Sequence, residues 1–360
     1  MFFSLYPTSI ITTGHSKACI ADINDARFVQ IPLDMANFIQ THKQFDIDKK
    51  ISPLNPRGAE AVMSYIEMLT KYHFGMVSEF FPLMSYNLGL FKKPFPIDSL
   101  IIDADCEHIL LNTLRCLPHD TISRFVQIRL FFKPAIEFLN TVGNVLIEHN
   151  MLNVEMVFNK TENADIEDYR SIVENFPFHI SRLIVMGCNH HSMADGHLIA
   201  VRYALTSPAD CGKVGCDLFC INIDMEQKYC RSHNSCLYRK LAIDREGYIR
   251  NCPASPRHFG RVGEVDIERA MAHPEFSRLW GITKDHVDVC RDCEFRRICP
   301  DCRVFTRNPE RPTAHPARCS YNPYIARWQG QPGYVSVEQY GVFTPEGFVP
   351  NRERIAQLLR

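Results

Sequence analysis

The sequence lacks an excess of charge of either sign, because its 40 Lys and Arg residues are matched by 41 Asp and Glu residues. A chain with a formal net charge of −1 has no overall electrostatic attraction to nucleic acid or to an anionic membrane. The sequence also lacks any apolar run of roughly eighteen residues, the length that a membrane-spanning helix needs. We therefore expect partners other than nucleic acids and membranes.

Nucleotide-binding loops and an export signal are missing as well. The sequence contains neither G-x-G-x-x-G nor G-x4-G-K-S/T, the glycine-rich loops that hold phosphate groups. Its first residues, MFFSLYPTSI, lack the basic start, the apolar stretch and the small-residue cleavage site of a secretory signal peptide. We therefore expect a cytoplasmic protein whose cysteines are kept reduced.

Cysteine, in contrast, is abundant, with 15 residues in a chain of 360. Eight of them form an ordered array, C-x5-C-x10-G-x4-C, then C-x2-C-x5-C-x2-C, then a single final cysteine. They are Cys230, Cys236, Cys252, Cys290, Cys293, Cys299, Cys302 and Cys319. Thiolates on such short loops can converge on one metal centre without strain in the backbone. The array predicts a metal or cluster framework, and a disulfide lattice is the less favoured alternative in a reducing compartment.

The spacing of the array resembles that of the SPASM domain, a C-terminal module that carries auxiliary 4Fe–4S clusters in many peptide-modifying radical enzymes. The family's pattern is C-x(9–15)-G-x4-C, then C-x2-C-x5-C-x3-C and a final cysteine, and Gly247 stands at the place of its glycine. One departure is the run from Cys299 to Cys302, which is one residue shorter than the pattern. The resemblance implies two 4Fe–4S clusters with interleaved ligands. One is held by Cys230, Cys236, Cys252 and Cys302, and the other by Cys290, Cys293, Cys299 and Cys319.

The start of the chain predicts a small unit of strands followed by helices. Strands are indicated at Ser9–Thr13, Lys17–Asp22 and Arg27–Ile31, with turn residues between them. Helices are predicted after Pro32 and after Pro56, the second with one buried face formed by Ala59, Val62, Ile66 and Leu69. This order resembles the winged-helix-like, PqqD-type leader-recognition domains, in which a peptide adds as an extra strand at a sheet edge. The alternative is a small structural cap on the next domain.

The next segment alternates apolar strands and helices, which is typical of βαβ units around a parallel sheet. Helices are predicted at Pro134–Asn150 and Asp165–Phe176. The predicted strands are Ser99–Asp103, Phe125–Phe131, Val154–Phe158, Arg182–Met186 and Leu218–Ile223. The predicted fold class is α/β, with a partial TIM-like barrel of the kind that precedes the SPASM domain in radical S-adenosylmethionine enzymes.

The barrel lacks the motif that those enzymes carry after the first barrel strand, C-x3-C-x2-C, whose three thiolates leave one iron open. After Ser99–Asp103 the chain has Cys106, and the next cysteine is Cys116. Cleavage of S-adenosylmethionine is therefore not expected, and no catalytic residue is assigned. The run Cys211, Cys216 and Cys220 is interpreted as small buried side chains, with a third metal site as the alternative.

Two further polar groups each allow two interpretations. His190 and His191, together with Asp195, could bind a divalent metal at the rim of the barrel, or could belong to a solvated loop. Arg296 and Arg297 could donate hydrogen bonds to cluster sulfides or contact an acidic substrate, or could be ordinary exposed residues.

The chain as a whole resembles the SPASM-domain peptide maturases of the grasp-with-spasm systems. The specific local likenesses are C-E-F-R-R-I-C-P-D-C-R at Cys293–Arg303 and S-C-L-Y-R-K-L-A-I-D at Ser235–Asp244. The resemblance implies an ATP-grasp ligase and a ribosomally made precursor peptide as partners. It divides the chain into a PqqD-like unit at 1–95, a degenerate partial barrel at 96–225, a SPASM iron–sulfur domain at 226–328 and a C-terminal tail at 329–360.

We therefore expect an iron–sulfur protein that acts in the maturation of a ribosomally made peptide (RiPP) and lacks a radical cluster of its own. Whether the chain is itself an enzyme is left open by its sequence. One alternative is an active radical S-adenosylmethionine enzyme with a displaced cluster. The other is a zinc-stabilised interaction protein, since four-cysteine sites of similar spacing also hold zinc.

Overall fold

The computed structural model describes residues 1–81, 97–117, 125–189, 192–194, 197–211, 214–216, 219–221 and 231–357, with the backbone alone at 192–194. Cys230, His190, His191 and Asp195 therefore lie outside the described residues. The chain divides into two compact units, named here the terminal unit and the central unit. The terminal unit comprises Met1–Leu90, Lys213–Ser235 and Ile282–Arg360, and the central unit comprises Phe91–Gly212 and Cys236–Gly281.

Residues 1–81 of the terminal unit form two antiparallel sheets and three helices. Their elements are β1 (Phe2–Leu5), β2 (Ser9–Thr13), β3 (Ala18–Asp22), β4 (Arg27–Ile31), α1 (Leu33–Thr41), β5 (Gln44–Asp46), α2 (Ile47–Ile51), α3 (Pro56–Lys71) and β6 (Gly75–Ser78). The sheets have the strand orders β5-β1-β6 and β2-β3-β4. Strand residues such as Phe3 and Ile20 share one core with helix residues such as Ile39 and Ile66.

The three strands and two helices predicted for this region are confirmed as β2, β3, β4, α1 and α3. Helix α3 begins after Asn55, whose side chain accepts a hydrogen bond from the Gly58 amide. It buries Val62, Ile66 and Leu69 as the spacing predicts, whereas Ala59, also predicted on this face, is only partly buried. The sequence pattern does not indicate β1, because β1 pairs with β5 and β6, which lie far along the chain. Strand β3 is central, so the edges of its sheet are β2 and β4.

The central unit is built around one mixed sheet of eight described strands. Its elements are β7 (Ser99–Ala104), α4 (Glu107–Arg115), β8 (Phe125–Leu130), α5 (Ile136–Glu148), β9 (Val154–Asn159), α6 (Arg170–Asn175), β10 (Ile180–Met186), β11 (Ser192–Ala194), β12 (Leu198–Val201), β13 (Lys240–Ile243), β14 (Ile249–Arg250) and α7 (Ile267–Met271). The strand order is β11-β12-β10-β9-β8-β7-β13-β14. Only the two edge strands, β11 and β14, run antiparallel to their neighbours among these described strands. The α/β class is thus confirmed.

Four of the five strands predicted for this sheet are confirmed as β7 to β10. The fifth, Leu218–Ile223, is wrong within the described residues, because 219–221 form no strand. Phe219 and Ile221 pack instead into an apolar cluster of the terminal unit. The parallel sheet is extended by β12 beside β10 and by β13 beside β7. Residues 236–281, which the sequence assigns to the SPASM segment, thereby belong to the central unit.

The two faces of the sheet differ in chemistry. Leu100 and Ile128 are among the residues that point into a core shared with helices α4, α5 and α6. The alternate residues Asp103 and Arg129 lie on the other face, where the Arg129 guanidinium donates two hydrogen bonds of 2.7 Å to the Asp103 carboxylate. Both side chains are buried, so this ion pair is fully removed from water.

The rest of the terminal unit is made of short elements. They are β15 (Tyr321–Asn322), β16 (Arg327–Trp328), β17 (Gly341–Thr344), β18 (Gly347–Pro350) and α8 (Arg352–Gln357). Tyr340, Phe348 and Ile355 of the tail pack with Val289 and Tyr324, so the described part of the tail is folded onto the cysteine-rich segment. No helix among the described residues is long and apolar enough to cross a membrane.

Candidate metal centre

The four cysteines that the sequence assigns to the second cluster line one pocket of the terminal unit. They are Cys290, Cys293, Cys299 and Cys319. Cys290 and Cys299 are buried, and Cys293 and Cys319 are partly exposed. The pocket encloses about 410 Å³, part of it open to solvent. The segment from Cys290 to Cys319 thus brings four thiols to one space.

Tight turns, rather than helices or strands, position these cysteine side chains. Cys290 opens a single 3₁₀ turn, Cys290–Asp292, and the Cys299 amide donates to the Phe295 carbonyl at 2.9 Å to close the next turn. Val289, directly before the first thiol, has φ +63°, which a β-branched side chain rarely adopts. Its burial among the tail residues holds this strained conformation in place. The turn is therefore fixed by packing from outside the cysteine run.

A buried ammonium group faces the thiols. Lys284 Nζ donates to Cys299 Sγ at 2.9 Å and to the Pro300 carbonyl at 3.3 Å. Burial by itself lowers the pKa of Lys284, but the Cys299 and Cys290 thiolates and the Asp301 carboxylate outweigh it, and the net shift is upward. Lys284 therefore stays charged and favours negative charge on the sulfur atoms.

Burial has the opposite effect on the thiols themselves. It raises the pKa of Cys290 to about 12 and that of Cys319 to about 11. Such thiols hold their protons at neutral pH unless a metal centre supplies positive charge. Four thiols, one buried cation and the Phe295 amide, which donates to Cys293 Sγ at 3.4 Å, are a donor set that fits an iron–sulfur cluster.

An aromatic wall borders the four-thiol pocket. Phe219, Phe295, Tyr321 and Trp328 all line it, and ring centroids lie 4.7 Å apart for Tyr321 and Trp328 and 5.0 Å apart for Phe295 and Tyr321. Phe28 of β4 joins this wall through an edge contact with Phe295 at 5.9 Å. The wall gives the pocket an apolar side that limits access of water to it.

Glu294, next to a predicted ligand, ties the N-terminal sheet to this region. The Tyr321 hydroxyl donates to its carboxylate, and Gln30 Nε2 of β4 donates to Glu294 Oε1 at 2.7 Å and to Tyr321 Oη at 2.9 Å. Burial raises the pKa of Glu294, and the bond from Tyr321 opposes that rise. The sequence gives no signal for this network, nor for Lys284, because its members lie hundreds of residues apart or carry no motif.

Arg296 and Arg297, the two arginines weighed for sulfide or substrate contacts, are both engaged within the protein. Each donates to the Asp285 carboxylate, at 3.0 and 2.8 Å respectively. Arg296 also donates to the Thr13 and Cys293 carbonyls at 2.7 and 2.9 Å. These bonds fasten the Cys293 turn to β2, while Arg296 still borders the four-thiol pocket.

The set assigned to the other cluster is only partly described. Cys230 lies outside the described residues, Cys302 belongs to the terminal unit, and Cys236 and Cys252 belong to the central unit. In the central unit, Lys240 Nζ donates to Cys236 Sγ at 3.2 Å. Its pKa is lowered by burial but raised more strongly by the Cys236 and Cys252 thiolates, as with Lys284.

The remaining cysteines do not form the runs that their spacing allows. Cys106 and Cys116 stand at opposite ends of the nine-residue helix α4, roughly 15 Å apart at 1.5 Å per residue. Cys211, Cys216 and Cys220, interpreted from the sequence as small buried side chains, are all exposed, so that interpretation is wrong. Within the described ranges, no three His, Cys, Asp or Glu side chains are grouped so that they could hold a single metal ion.

Comparisons with known proteins yield only remote likenesses. No family model and no curated protein matches the sequence. Solved structures that resemble the chain include SuiB of Streptococcus suis bound to S-adenosylmethionine, with 10% identity and a TM-score of 0.33, covering 87% of this chain and 98% of that one. SuiB on its own gives 11% identity and a TM-score of 0.29, and SuiB bound to the precursor peptide SuiA gives 10% and 0.29, both with the same coverage. At these TM-scores the likeness assigns neither fold nor function to this chain.

Proposed function

We propose that this protein is an iron–sulfur protein that acts in the maturation of a ribosomally made peptide, with an ATP-grasp ligase as its partner. One 4Fe–4S cluster is held by Cys290, Cys293, Cys299 and Cys319. The other is held by Cys230, Cys236, Cys252 and Cys302. The observation that supports this proposal most directly is the convergence of the first four cysteines on one pocket.

The residues around that pocket have separate roles in the proposal. A bound 4Fe–4S cluster supplies an electron-transfer or structural centre whose potential depends on charge and on hydrogen bonds to sulfur. Lys284 offsets the negative charge of the Cys299 thiolate, and the Phe295 amide donates to Cys293. The aromatic wall keeps water away from the four sulfur atoms. The missing nucleotide loops leave the ATP-driven step to the ligase partner.

Metal content tests the proposal. Anaerobically purified protein is expected to contain about eight irons and eight sulfides per chain, with the broad absorption near 400 nm of iron–sulfur centres. Cys290→Ser is expected to remove about half of this iron, whereas Cys116→Ser, a change at an exposed cysteine of the central unit, leaves the iron content as it is. About two zinc ions without sulfide, or iron that Cys290→Ser does not alter, would contradict the proposal.

Peptide binding is placed at the free edge of β4. Among the described strands β4 pairs with β3 alone, so its other edge can accept an added strand. Through Gln30 and Phe28 the same strand contacts Glu294 and Phe295 of the cysteine-rich segment. A peptide at this edge therefore lies on a strand that is packed directly against the proposed cluster site.

Hydrogen exchange on the full chain tests this placement. The probe is the proposed precursor peptide. Alternate amides of Arg27–Ile31 point away from β3, and these amides are expected to become protected when the peptide binds. Amides of Gln44–Asp46, at an edge of the other N-terminal sheet, serve as the control and remain unchanged. Protection confined to the central unit would contradict the placement.

A further inference from the structure

His315 is a polar residue of the four-thiol pocket to which no sequence motif points. It precedes Cys319 by four residues and is 1% exposed. It lines the same pocket as the four thiols and Lys284. A buried imidazole beside thiols can bind a metal through the lone pair of a ring nitrogen, or it can donate a hydrogen bond through an N–H. The two roles require opposite protonation of the nitrogen that faces the pocket.

The hydrogen bond to His315 Nδ1 decides between these roles. Arg307 Nε donates to His315 Nδ1 at 3.3 Å. Because a guanidinium can only donate, Nδ1 supplies its lone pair, and the one proton of a neutral ring is carried by Nε2. A metal-bound imidazole has the reverse pattern, since its second nitrogen donates to an acceptor. The bond from Arg307 therefore makes Nε2 a donor and not a metal ligand.

Burial and nearby positive charge keep the ring neutral. Burial lowers the pKa of His315 to about 3, and the Arg307 and Lys284 cations act in the same direction. Among the described residues no backbone or side-chain group accepts a hydrogen bond from Nε2. With Nδ1 occupied by Arg307, Nε2–H is the polar group that His315 can present to the pocket that it lines.

Contacts outside the pocket hold the ring in this orientation. The Arg307 amide donates to the His315 carbonyl at 2.9 Å, so the two residues are joined by backbone and side chain. The Arg307 guanidinium pairs with Glu338 and lies 4.7 Å from the centroid of the Phe343 ring. The His315 ring stacks on Phe343, with centroids 6.0 Å apart and planes inclined by 29°. Strand β17 thus helps to fix the position of the imidazole.

We propose that His315 Nε2–H donates a hydrogen bond to a sulfur atom of the centre in the four-thiol pocket and thereby raises its reduction potential. That the centre is an iron–sulfur cluster rests on the proposed function, whereas the donor role rests on the tautomer that Arg307 imposes. A hydrogen bond to sulfur stabilises the additional negative charge of the reduced cluster. Arg307 is a positioning residue, because it orients His315 and is not among the residues that line the pocket.

Pulsed electron paramagnetic resonance on the reduced full chain, with isotopically labelled histidine nitrogen, tests the contact. A hydrogen-bonded imidazole gives a weak nitrogen hyperfine coupling to the cluster, and a ligated imidazole gives a strong one. We expect a weak coupling that disappears in His315→Phe. The control is His42→Phe, which changes a partly buried histidine of the same unit and should leave the coupling unchanged.

Potentiometric titration measures the consequence of this contact. His315→Phe is expected to lower the potential of the terminal unit's cluster by about 60 mV, which corresponds to a tenfold change in a one-electron equilibrium. His315→Gln loses the histidine coupling but retains an N–H donor, so its potential should stay close to that of the unaltered protein. A residue that serves packing alone would show no such rescue.

Separate outcomes overturn the donor role and the proposed function. If the cluster is present but the unaltered protein shows no histidine coupling, His315 is not a donor to it. A strong coupling that His315→Phe removes would make His315 an iron ligand and would contradict the tautomer. Equal potentials for His315→Phe and His315→Gln would show that the N–H does not set the potential. Absence of iron and sulfide from the unaltered protein overturns the proposed function, and the donor role with it.

Discussion

The two thiol groups of this protein are assembled in opposite ways. In the terminal unit, four cysteines from one run, Cys290 to Cys319, reach a common pocket through short turns. In the central unit, Cys236 and Cys252 lie on two separate segments, one before β13 and one after β14. Each group has a lysine that donates to one of its thiols, the buried Lys284 to Cys299 and the partly buried Lys240 to Cys236.

Short spacing along the chain explains how the first thiol group comes together but not the second. Short loops bring thiols together, so most of the first group is visible in the sequence. Packing of the tail residues against Val289 nevertheless fixes its first turn. The second depends on the pairing of β13 with β7, which brings Lys240 beside Ser99 in the parallel sheet. The surroundings differ too, since the four-thiol pocket has an aromatic wall, whereas the central group lies near the Asp103–Arg129 ion pair.

The largest effect is expected from loss of the buried ion pair, which should destabilise the central unit and leave the terminal unit folded. Arg129→Met leaves the Asp103 carboxylate buried without its partner, which typically costs about 3–5 kcal/mol in the free energy of unfolding. Denaturant unfolding followed by circular dichroism measures this loss, and the resonance signal of the terminal unit's cluster is expected to persist.

Arg182→Met is the matched control for that change. Arg182 is half exposed and pairs with Glu155 at 3.1 Å in the same sheet, so its loss is expected to cost less than about 1 kcal/mol. Equal losses from the two variants would show that the buried pair has no special part in holding the central unit.

A smaller effect is expected at the junction of the N-terminal sheet and the cysteine run. A Cβ at Gly14 would lie 2.6 Å from the Glu294 amide nitrogen and 2.8 Å from Glu294 Oε2. Gly14→Ala should therefore lower the free energy of unfolding by about 1–3 kcal/mol. It should also shift the resonance of the cluster in the terminal unit, because Glu294 adjoins Cys293.

Gly281→Ala, in the central unit, is the control for Gly14→Ala. An added Cβ at Gly281 meets no atom within 4 Å, so stability and resonance are expected to remain close to those of the unaltered protein. If Gly14→Ala also leaves stability and resonance unchanged, the sheet and the cysteine run are less tightly packed than the contacts of Glu294 indicate.

The smallest expected effect is a shift in reduction potential when either of the two lysines is replaced. Lys284→Met removes a buried positive charge beside Cys299, so reduction of the proposed cluster in the terminal unit should become harder, by on the order of 60 mV for a tenfold change in a one-electron equilibrium. Lys240→Met should shift the central cluster in the same direction, with each variant leaving the other cluster unchanged. Potentiometric titration followed by resonance measures both shifts. A single variant that moves both potentials would show that the two centres are not independent.

One face of the N-terminal sheet β2-β3-β4 is covered by the cysteine-rich segment. Its strands β3 and β4 pack against Phe295 and Tyr321 of the cysteine-rich segment in one apolar cluster. A fragment of residues 1–81 would expose that face, so peptide binding is better measured on the full chain. Sequence pattern alone indicates a separate leader-binding unit, because local periodicity records which face is apolar but not what covers it.

The sequence by itself determines the elements whose signal is local. Strands β7 to β10 are apolar runs between helices, β2 to β4 are short runs between turn residues, and α3 has an apolar stripe of helical period. Cys290, Cys293 and Cys299 of the four-thiol pocket belong to this class, since they are separated by few residues. In each case one stretch of chain contains both the side chains and the spacing that brings them together.

Only the tertiary structure decides the features that join distant stretches. Strand β1 exists because β5 and β6 flank it, and β13 joins the parallel sheet through its pairing with β7. Phe219 and Ile221 look like part of a buried strand, yet they pack beside Phe295 and Trp328. An apolar or thiol side chain can pack against many different partners, and the fold as a whole determines which of them lies beside it.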